Sequence, residues 1–327
     1  MPWRSSNDAY HIWLSEVILQ QTRVEQGMPY YFRFLKAFPT ITALANAPED
    51  EVLNLWQGLG YYSRARNLHN AAKLVSTQYN GKFPKTYVEI LALKGVGAYT
   101  ASAIASIAFG LPHAVVDGNV YRVLSRVFKI DDPIDSTAGK KKFDLLAHEL
   151  LDPKKPGEHN QALMEIGALI CLPANPKCEV CPVAHLCLAR ADRSYGLYPV
   201  KSLKTKVRER KFHYLVVTDG KKTVLKKRAE KDIWFGLYDF PLLEPDEAEN
   251  KILEEIQQLK PVRVEKDGSM KHILSHQKIQ ATFWLIHVKK IVTNTGEIAV
   301  KLDDLDNYPM PQLLIRYLES GRLSGGK

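Results

Sequence analysis

Only four cysteines occur in 327 residues, all between 171 and 187, so no scattered pairs exist from which to build a disulfide framework. Long apolar runs are missing too. The longest, around Ala101–Leu111, is short and diluted by serine and alanine, which excludes a spanning helix there. The opening "MPWRSSNDAY" has no apolar stretch behind a basic one, so no secretory signal is expected. Strand-like alternation carries no weight before about residue 210. These absences lead to a cytoplasmic, reducing compartment and a first half built from helices.

What is present is ordinary for a globular chain: 45% hydrophobic and 25% charged residues, with length enough for two domains. Charge is unevenly placed. Residues 201–231 hold twelve Lys and Arg against three acids, which accounts for the whole net charge of +9. Such a run is either a solvated connector or a basic strap for a polyanion, and charge alone does not choose between them.

Helical spacing runs through "SNDAYHIWLSEVILQQT", where Ser6–Asp8 offer caps and the helix is expected to continue through Gln21. It returns in "APEDEVLNLWQGLG", "TASAIASIAFG", "NVYRVLSRVFK", "AGKKKFDLLAHELL" and "HNQALMEIGALIC". After residue 210 the texture changes. "FHYLVVTDGKKTVLKKR" reads as a hairpin about Asp-Gly, "QATFWLIHVKKIVT" as a strand, and "PDEAENKILEEIQQLK" and "PMPQLLIRYLESG" as helices. The expected division is an all-α domain over 1–200, a basic linker over 201–210, an α+β domain over 211–320 and a tail over 321–327.

The cysteines Cys171, Cys178, Cys181 and Cys187 have the spacing C-x6-C-x2-C-x5-C. Four thiols so close suit zinc or an iron–sulfur cluster. Zinc ribbons usually repeat a short C-x2-C pair, and a single short pair with wide flanks fits better a loop around a [4Fe–4S] cube. Its distance in sequence from other reactive groups points to a structural role.

In "LKGVGAYTASA", Gly95 and Gly97 allow a tight turn, and the helix that opens after them offers amides to an anion. A plain helix corner would look the same. Taken with the cysteine loop, the stretch resembles the helix-hairpin-helix of the endonuclease III superfamily of DNA glycosylases, about residues 90–110. Within that superfamily "PWR", "WLSEVILQQT", "WQGLGYYSRARNL", "GVGAYTA", "VDGNV" and "HNQALMEIGALIC" are most similar to the adenine DNA glycosylase (MutY-like) family.

That resemblance implies a [4Fe–4S] cluster, binding of duplex DNA with A:8-oxoguanine or A:G mispairs as a monomer, and a bacterial, nucleoid-associated location. Superfamily members that cut the backbone carry a lysine at the place of Tyr99, and a phenol cannot form a Schiff base. Tyr121, likewise, stands where some relatives have lysine. The implied enzyme is monofunctional and uses water. The alternatives are a bifunctional endonuclease III-like lyase and a non-catalytic iron–sulfur DNA-binding protein.

Glu16 is the only charge in "IWLSEVILQ", and so either points to solvent or is buried and kept protonated by desolvation. Asp117, before "GNVYRVLSR", suits an N-cap. The resemblance assigns Glu16 as acid/base and Asp117 as stabiliser of the sugar cation, supported by Asn119 and Tyr99, a pairing akin to glycoside hydrolysis. It also implies DNA contacts from Arg4, Gln21, Thr22, Leu59, Tyr61, Gly95 and Gly97.

The second domain resembles the Nudix-like C-terminal domain of the same family. After Gly236 the chain lacks the R-E-x2-E-E of a working hydrolase, since Glu254 and Glu255 have neither the arginine nor the spacing. It is therefore expected to read rather than cut. "LSH" at 274–276 is similar to the loop that recognises 8-oxoguanine, through Ser275 and His276, although Leu274 replaces a frequent Phe. Lys94, in place of a common Pro, and Met1, directly before "PWR", are further departures.

Overall fold

The computed structural model describes residue 3, residues 6–202, 207–244, 249–321 and residue 323. Packing divides the chain into two units: Met1–Asn46 with Asn67–Lys204, and Ala47–Arg66 with Thr205–Lys327. The sequence-based division at 200 therefore differs from the packing in one place. Residues 47–66 belong with the C-terminal half.

In the first unit α1 (Ala9–Leu19) starts on Asp8, which accepts hydrogen bonds from the amides of Tyr10 (2.8 Å) and His11 (3.2 Å). The helix stops short of the expected Gln21 because Gln20 leaves helical geometry and Gln21 turns left-handed, with φ of 55°. Helices α2 (Val24–Ala37) and α3 (Ile41–Asn46) follow. In the second unit α4 (Glu49–Leu55) carries three acids in its first turn, which complement the helix dipole. Next comes α5 (Ser63–Gln78), which belongs to the first unit from Asn67 onward.

A capping box between Thr86 and Glu89 starts α6 (Tyr87–Leu91). The turn that follows delivers α7 (Ala98–Phe109). Both α1 and α7 are apolar nearly all round, and both are buried over most of their length. Around them stand α8 (Gly118–Phe128), α9 (Thr137–Leu150) and α10 (Pro156–Glu165). A core of Ala103, Val115, Val120, Leu124, Phe143 and Ala147 joins α7, α8 and α9. A wide turn, Ile166–Ile170, and the short α11 (Leu188–Ala191) bracket the cysteine loop. No helix among the described residues is long and apolar enough to cross a membrane.

The second unit is built on a mixed sheet of β1 (Arg208–Thr218), β2 (Lys222–Lys227), β3 (Tyr238–Asp239), β4 (Leu242–Leu243), β5 (Arg263–Ile273), β6 (Gln277–His287) and β7 (Glu297–Lys301). Five strands run in the order β3-β2-β1-β6-β5, with β4 beside β1 and β7 beside β2. The expected Asp-Gly turn is there: Gly220 has φ of 86°, and Asp219 accepts from the amides of Lys221 and Lys222. Yet the long partner of β1 is β6, parallel, from Arg208↔Gln277 to Thr218↔His287. Helix α12 (Glu249–Gln258) buries Ile252 and Ile256 against Leu215, Val217 and Trp284. Residues 245–248, the start of the expected helix, lie outside the described residues. Helix α13 (Gln312–Glu319) closes the unit, and its Tyr317 stacks on Phe283 at 3.9 Å.

The basic stretch at 201–231 is not a loose connector over most of its length, because β1 and β2 occupy much of it. Three of its cations are paired within the unit. Arg210 meets Asp232 (2.7 Å) and Glu244 (2.6 Å), Arg228 meets Asp239 (2.7 Å), and Lys227 meets Asp50 (2.5 Å).

Candidate active site

One cleft in the first unit, about 160 Å³, is lined by Glu16, Thr22, Tyr99, Asp117 and Asn119, together with Trp3, Ser15, Gln161 and Met164. Five positions singled out from sequence thus converge from α1, α7, α8 and the turn after α1. Glu16 is buried at 8% exposure, which settles the choice between solvent and interior. The Tyr99 hydroxyl donates to Glu16 Oε2 at 2.5 Å, and Met164 Sδ lies 3.7 Å from the same hydroxyl. A tyrosine in the first turn of α7 is thus a short, rigid donor to a buried acid on α1.

Asp117 does cap α8, and the cap and the cleft position are compatible. Its Oδ1 accepts from the amides of Asn119 and Val120, both at 2.8 Å. Its Oδ2 accepts from Asn119 Nδ2 at 2.8 Å. Three N–H groups and a helix N-terminus therefore hold this carboxylate as an acceptor. Asn119 is held in turn, because Arg122 Nη2 donates to its Oδ1 at 2.9 Å. The backbone also closes in on it. A Cβ added at Gly167 would come within 2.5 Å of Asn119 Cβ, so only glycine lets the turn after α10 approach there.

Arg122 was not singled out from sequence, although its place one turn after Asn119 on a helix is a usable signal. Its Nε donates to the Cys171 carbonyl at 2.6 Å and its Nη2 to the Gly167 carbonyl at 2.6 Å. One turn further on, the buried Arg126 donates to Cys171 Sγ (3.3 Å) and to the carbonyls of Leu172 (2.7 Å) and Pro173 (2.9 Å). Helix α8 therefore carries the carboxylate at one end and grips the cysteine loop with two arginines.

Cys171, Cys178, Cys181 and Cys187 are all half-buried and line a single pocket with Arg126 and Arg190. Burial, and then the neighbouring Cys171, Cys187 and Cys181, push the Cys178 thiol up. Among the described residues no three His, Cys, Asp or Glu side chains are arranged to hold a metal ion. Four soft donors facing one cavity nonetheless fit, by chemistry and placement, an iron–sulfur cluster better than a hard cation.

The turn after α6 follows from its glycines. Gly95 has φ of 79°, and a Cβ on it would lie 2.5 Å from Asn67 Cβ. Gly97 is the N-cap of α7 and provides no side-chain cap to its amides, and Lys94, Gly95 and Gly97 are all exposed. The first turn of this twelve-residue helix therefore has no side-chain cap.

The remaining expected contacts are distributed differently. Leu59, Tyr61, Ser275 and His276 all belong to the second unit. Tyr61 is 43% exposed, whereas Leu59 is buried. The Tyr61 hydroxyl donates to Ser275 Oγ at 3.0 Å, and Ser275 Oγ lies 3.2 Å from His276 Nδ1. Ser275 and His276 stand exposed at the tip of the β5–β6 hairpin. Gln21 lies next to Thr22, outside the cleft lining, and Arg4 lies outside the described residues.

Comparison with known proteins bears on this arrangement. Residues 14–148 match the family described as HhH-GPD superfamily base excision DNA repair protein, and residues 213–320 match a NUDIX domain. The chain is 37% identical over 296 residues to the adenine DNA glycosylase of Buchnera aphidicola subsp. Baizongia pistaciae, covering 88% of this chain and 81% of that one. It is 36% identical over 339 residues to the adenine DNA glycosylase of Mus musculus, covering 85% and 66% respectively. The solved structure of a thermostable thymine-DNA glycosylase matches with a TM-score of 0.54 and 32% identity, over 59% of this chain and 88% of that one.

Proposed function

Since the chain belongs to the adenine DNA glycosylase family, we propose that it is a monofunctional glycosylase that releases adenine mispaired with 8-oxoguanine or guanine in duplex DNA. The observation that carries this reading is the shared cleft of Glu16, Tyr99 and Asp117. It holds a buried acid, a capped carboxylate and, among the described residues, no lysine.

An adenine must leave the stack before either carboxyl can reach it. Glu16, buried against Tyr99, delivers a proton to the base, which makes it a better leaving group. Asp117, held by three N–H donors, faces the positive charge that grows on the sugar as the bond breaks. Glu16, having lost its proton, then takes one from the attacking water. Tyr99 orients Glu16 and offers no amine to the sugar, so the backbone stays intact. The exposed turn Lys94–Gly97 takes a phosphate and fixes the register of the duplex.

Cys171, Cys178, Cys181 and Cys187 would hold a [4Fe–4S] cluster. When bound it supplies iron–thiolate cross-links to the loop, whose grip on α8 through Arg122 and Arg126 keeps Asp117 in place. In the second unit Ser275 and His276 recognise the base opposite the adenine, and Tyr61 occupies the space beside that base.

Single-turnover incubation with A:8-oxoguanine and A:G duplexes tests the reaction. Adenine release with strand breaks only after alkali is expected. Breaks without alkali would identify a lyase instead, and the absence of adenine release from either duplex would overturn the reading.

A further inference from the structure

Tyr61 projects from its segment in an unusual backbone state. It has φ of 48° and follows Gly60 at 72°, so two successive residues sit in the left-handed region and the second is not glycine. Such a conformation persists only where its surroundings hold it. Here those surroundings lie in one unit. Trp56 Nε1 donates to the Gly60 carbonyl at 3.0 Å, and Arg64 Nη2 reaches the same carbonyl at 3.2 Å and that of Leu59 at 3.4 Å. The Arg64 guanidinium carbon lies 5.0 Å from the Trp56 ring centre and 5.7 Å from that of Tyr61. The Tyr62 hydroxyl accepts from the Gly58 amide and donates to the Met310 carbonyl, which anchors the turn from the other side.

Arg64 is buried, at 8% exposure, beneath a tyrosine that is not. Enclosing a guanidinium is costly, and it stays here against turn carbonyls and two ring faces. Its Nη2 reaches both carbonyls before Tyr61 and the guanidinium lies within cation–π reach of the ring, so backbone and ring are set by one group. The outer end of the ring is held by Ser275.

We propose that Arg64 is the positioning residue for Tyr61, fixing how that ring is presented to the base opposite the adenine and hence the preference among opposite bases. This rests on the role given to Tyr61 in the proposed reaction. Arg64 touches no reacting atom and acts through the turn.

The test uses the full chain at fixed salt and compares single-turnover adenine release from A:8-oxoguanine and A:G duplexes. Arg64→Met is expected to lower the ratio of the two rates about tenfold, the scale of one charge-assisted hydrogen bond. Tyr61→Ala should lower it at least as far, and Arg64→Met in the Tyr61→Ala background should lower it no further. Arg64→Lys, which keeps the charge but not the fork, should recover part of the preference, and with Arg64→Gln it carries the test if Arg64→Met does not fold.

A parent-like ratio in every folded Arg64 variant overturns the proposal. A ratio that falls further in the double variant than in Tyr61→Ala also overturns it, since Arg64 would then act elsewhere. A second readout is independent of turnover: the Tyr61 ring resonances, identified by their loss in Tyr61→Phe, should shift and average in Arg64→Met. Unchanged resonances would reject the positioning role even in a protein that releases no adenine, whereas that inactivity by itself would reject only the reaction.

Discussion

The hydroxyl of Tyr99 meets Oε2 of Glu16 at 2.5 Å, joining the first turn of α7 to the middle of α1 across 83 positions of sequence. In the proposed reaction this bond orients the acid that protonates the base. Glu16→Gln is therefore expected to reduce adenine release by at least about a hundredfold while duplex affinity stays near that of the parent, because phosphate contacts are untouched. Tyr99→Phe removes the orienting donor alone and should slow release by about tenfold. Rapid release by the Gln variant in a quenched single-turnover assay would remove Glu16 from the chemistry.

Asp117 caps α8 and lines the cleft, and the two duties can be separated. Asp117→Asn keeps a capping oxygen, so the cost in stability should be small, below about 1 kcal/mol. Loss of the negative charge beside the sugar should still slow the reaction by about a hundredfold or more. Melting curves and rates taken on the same preparation decide the matter, and a rate loss no larger than the loss of folded protein would leave only the cap.

The cysteine loop should hold about four irons and four sulfides per chain, the content of one [4Fe–4S] cluster. Its removal should loosen α8, because Arg122 and Arg126 bind the carbonyls at and after Cys171. Metal analysis of protein made with ample iron checks the first point. Stoichiometric zinc in place of iron would reject the cluster.

Replacing Ser275 and His276 together by alanine should cost A:8-oxoguanine substrates roughly 1–3 kcal/mol more than A:G substrates. Deleting residues 211–327 is a poorer experiment than the sequence suggests. It would strip Lys227 and Tyr238 from Asp50, the Phe235 carbonyl from Arg66 and the Met310 backbone from Gln57 and Tyr62. The double substitution leaves those contacts in place, and equal losses on both duplexes would mean the hairpin tip does not read the lesion.

Asp239 gives a pH signature to the second unit. It is buried, and burial pushes its carboxyl up from 3.8 to about 6 even with Arg228 beside it. Among the described residues its Oδ1 has no hydrogen-bond partner, nor do Arg228 Nε and the Tyr214 hydroxyl. The folded chain thus keeps a proton that the unfolded chain releases. The stabilisation from Asp239 is complete below pH 3.8 and is lost as pH rises through about 6. Asp239→Asn should remove this fall. Denaturant midpoints of parent and variant, compared between pH 4 and pH 7, check it, and a parent–variant difference independent of pH would refute it.

Local chemistry in the sequence determined a good deal by itself. Asp8 and Asp117 mark helix starts that the structure contains, because a cap acts on amides two or three residues away. Period and turn residues located the passage from helix to strand at about residue 210, close to the start of β1 at Arg208, and the cysteines announced their own loop. The left-handed Gln21 ended α1 early because a helical period does not reveal where the backbone will turn. Tertiary structure alone decided that β1 lies parallel to β6, that Ala47–Arg66 packs with the C-terminal half, and that Arg122 ties Asn119 to the cysteine loop. Each of those depends on side chains dozens or hundreds of positions apart, whose pairing is set by which surfaces bury together rather than by any pattern along the chain.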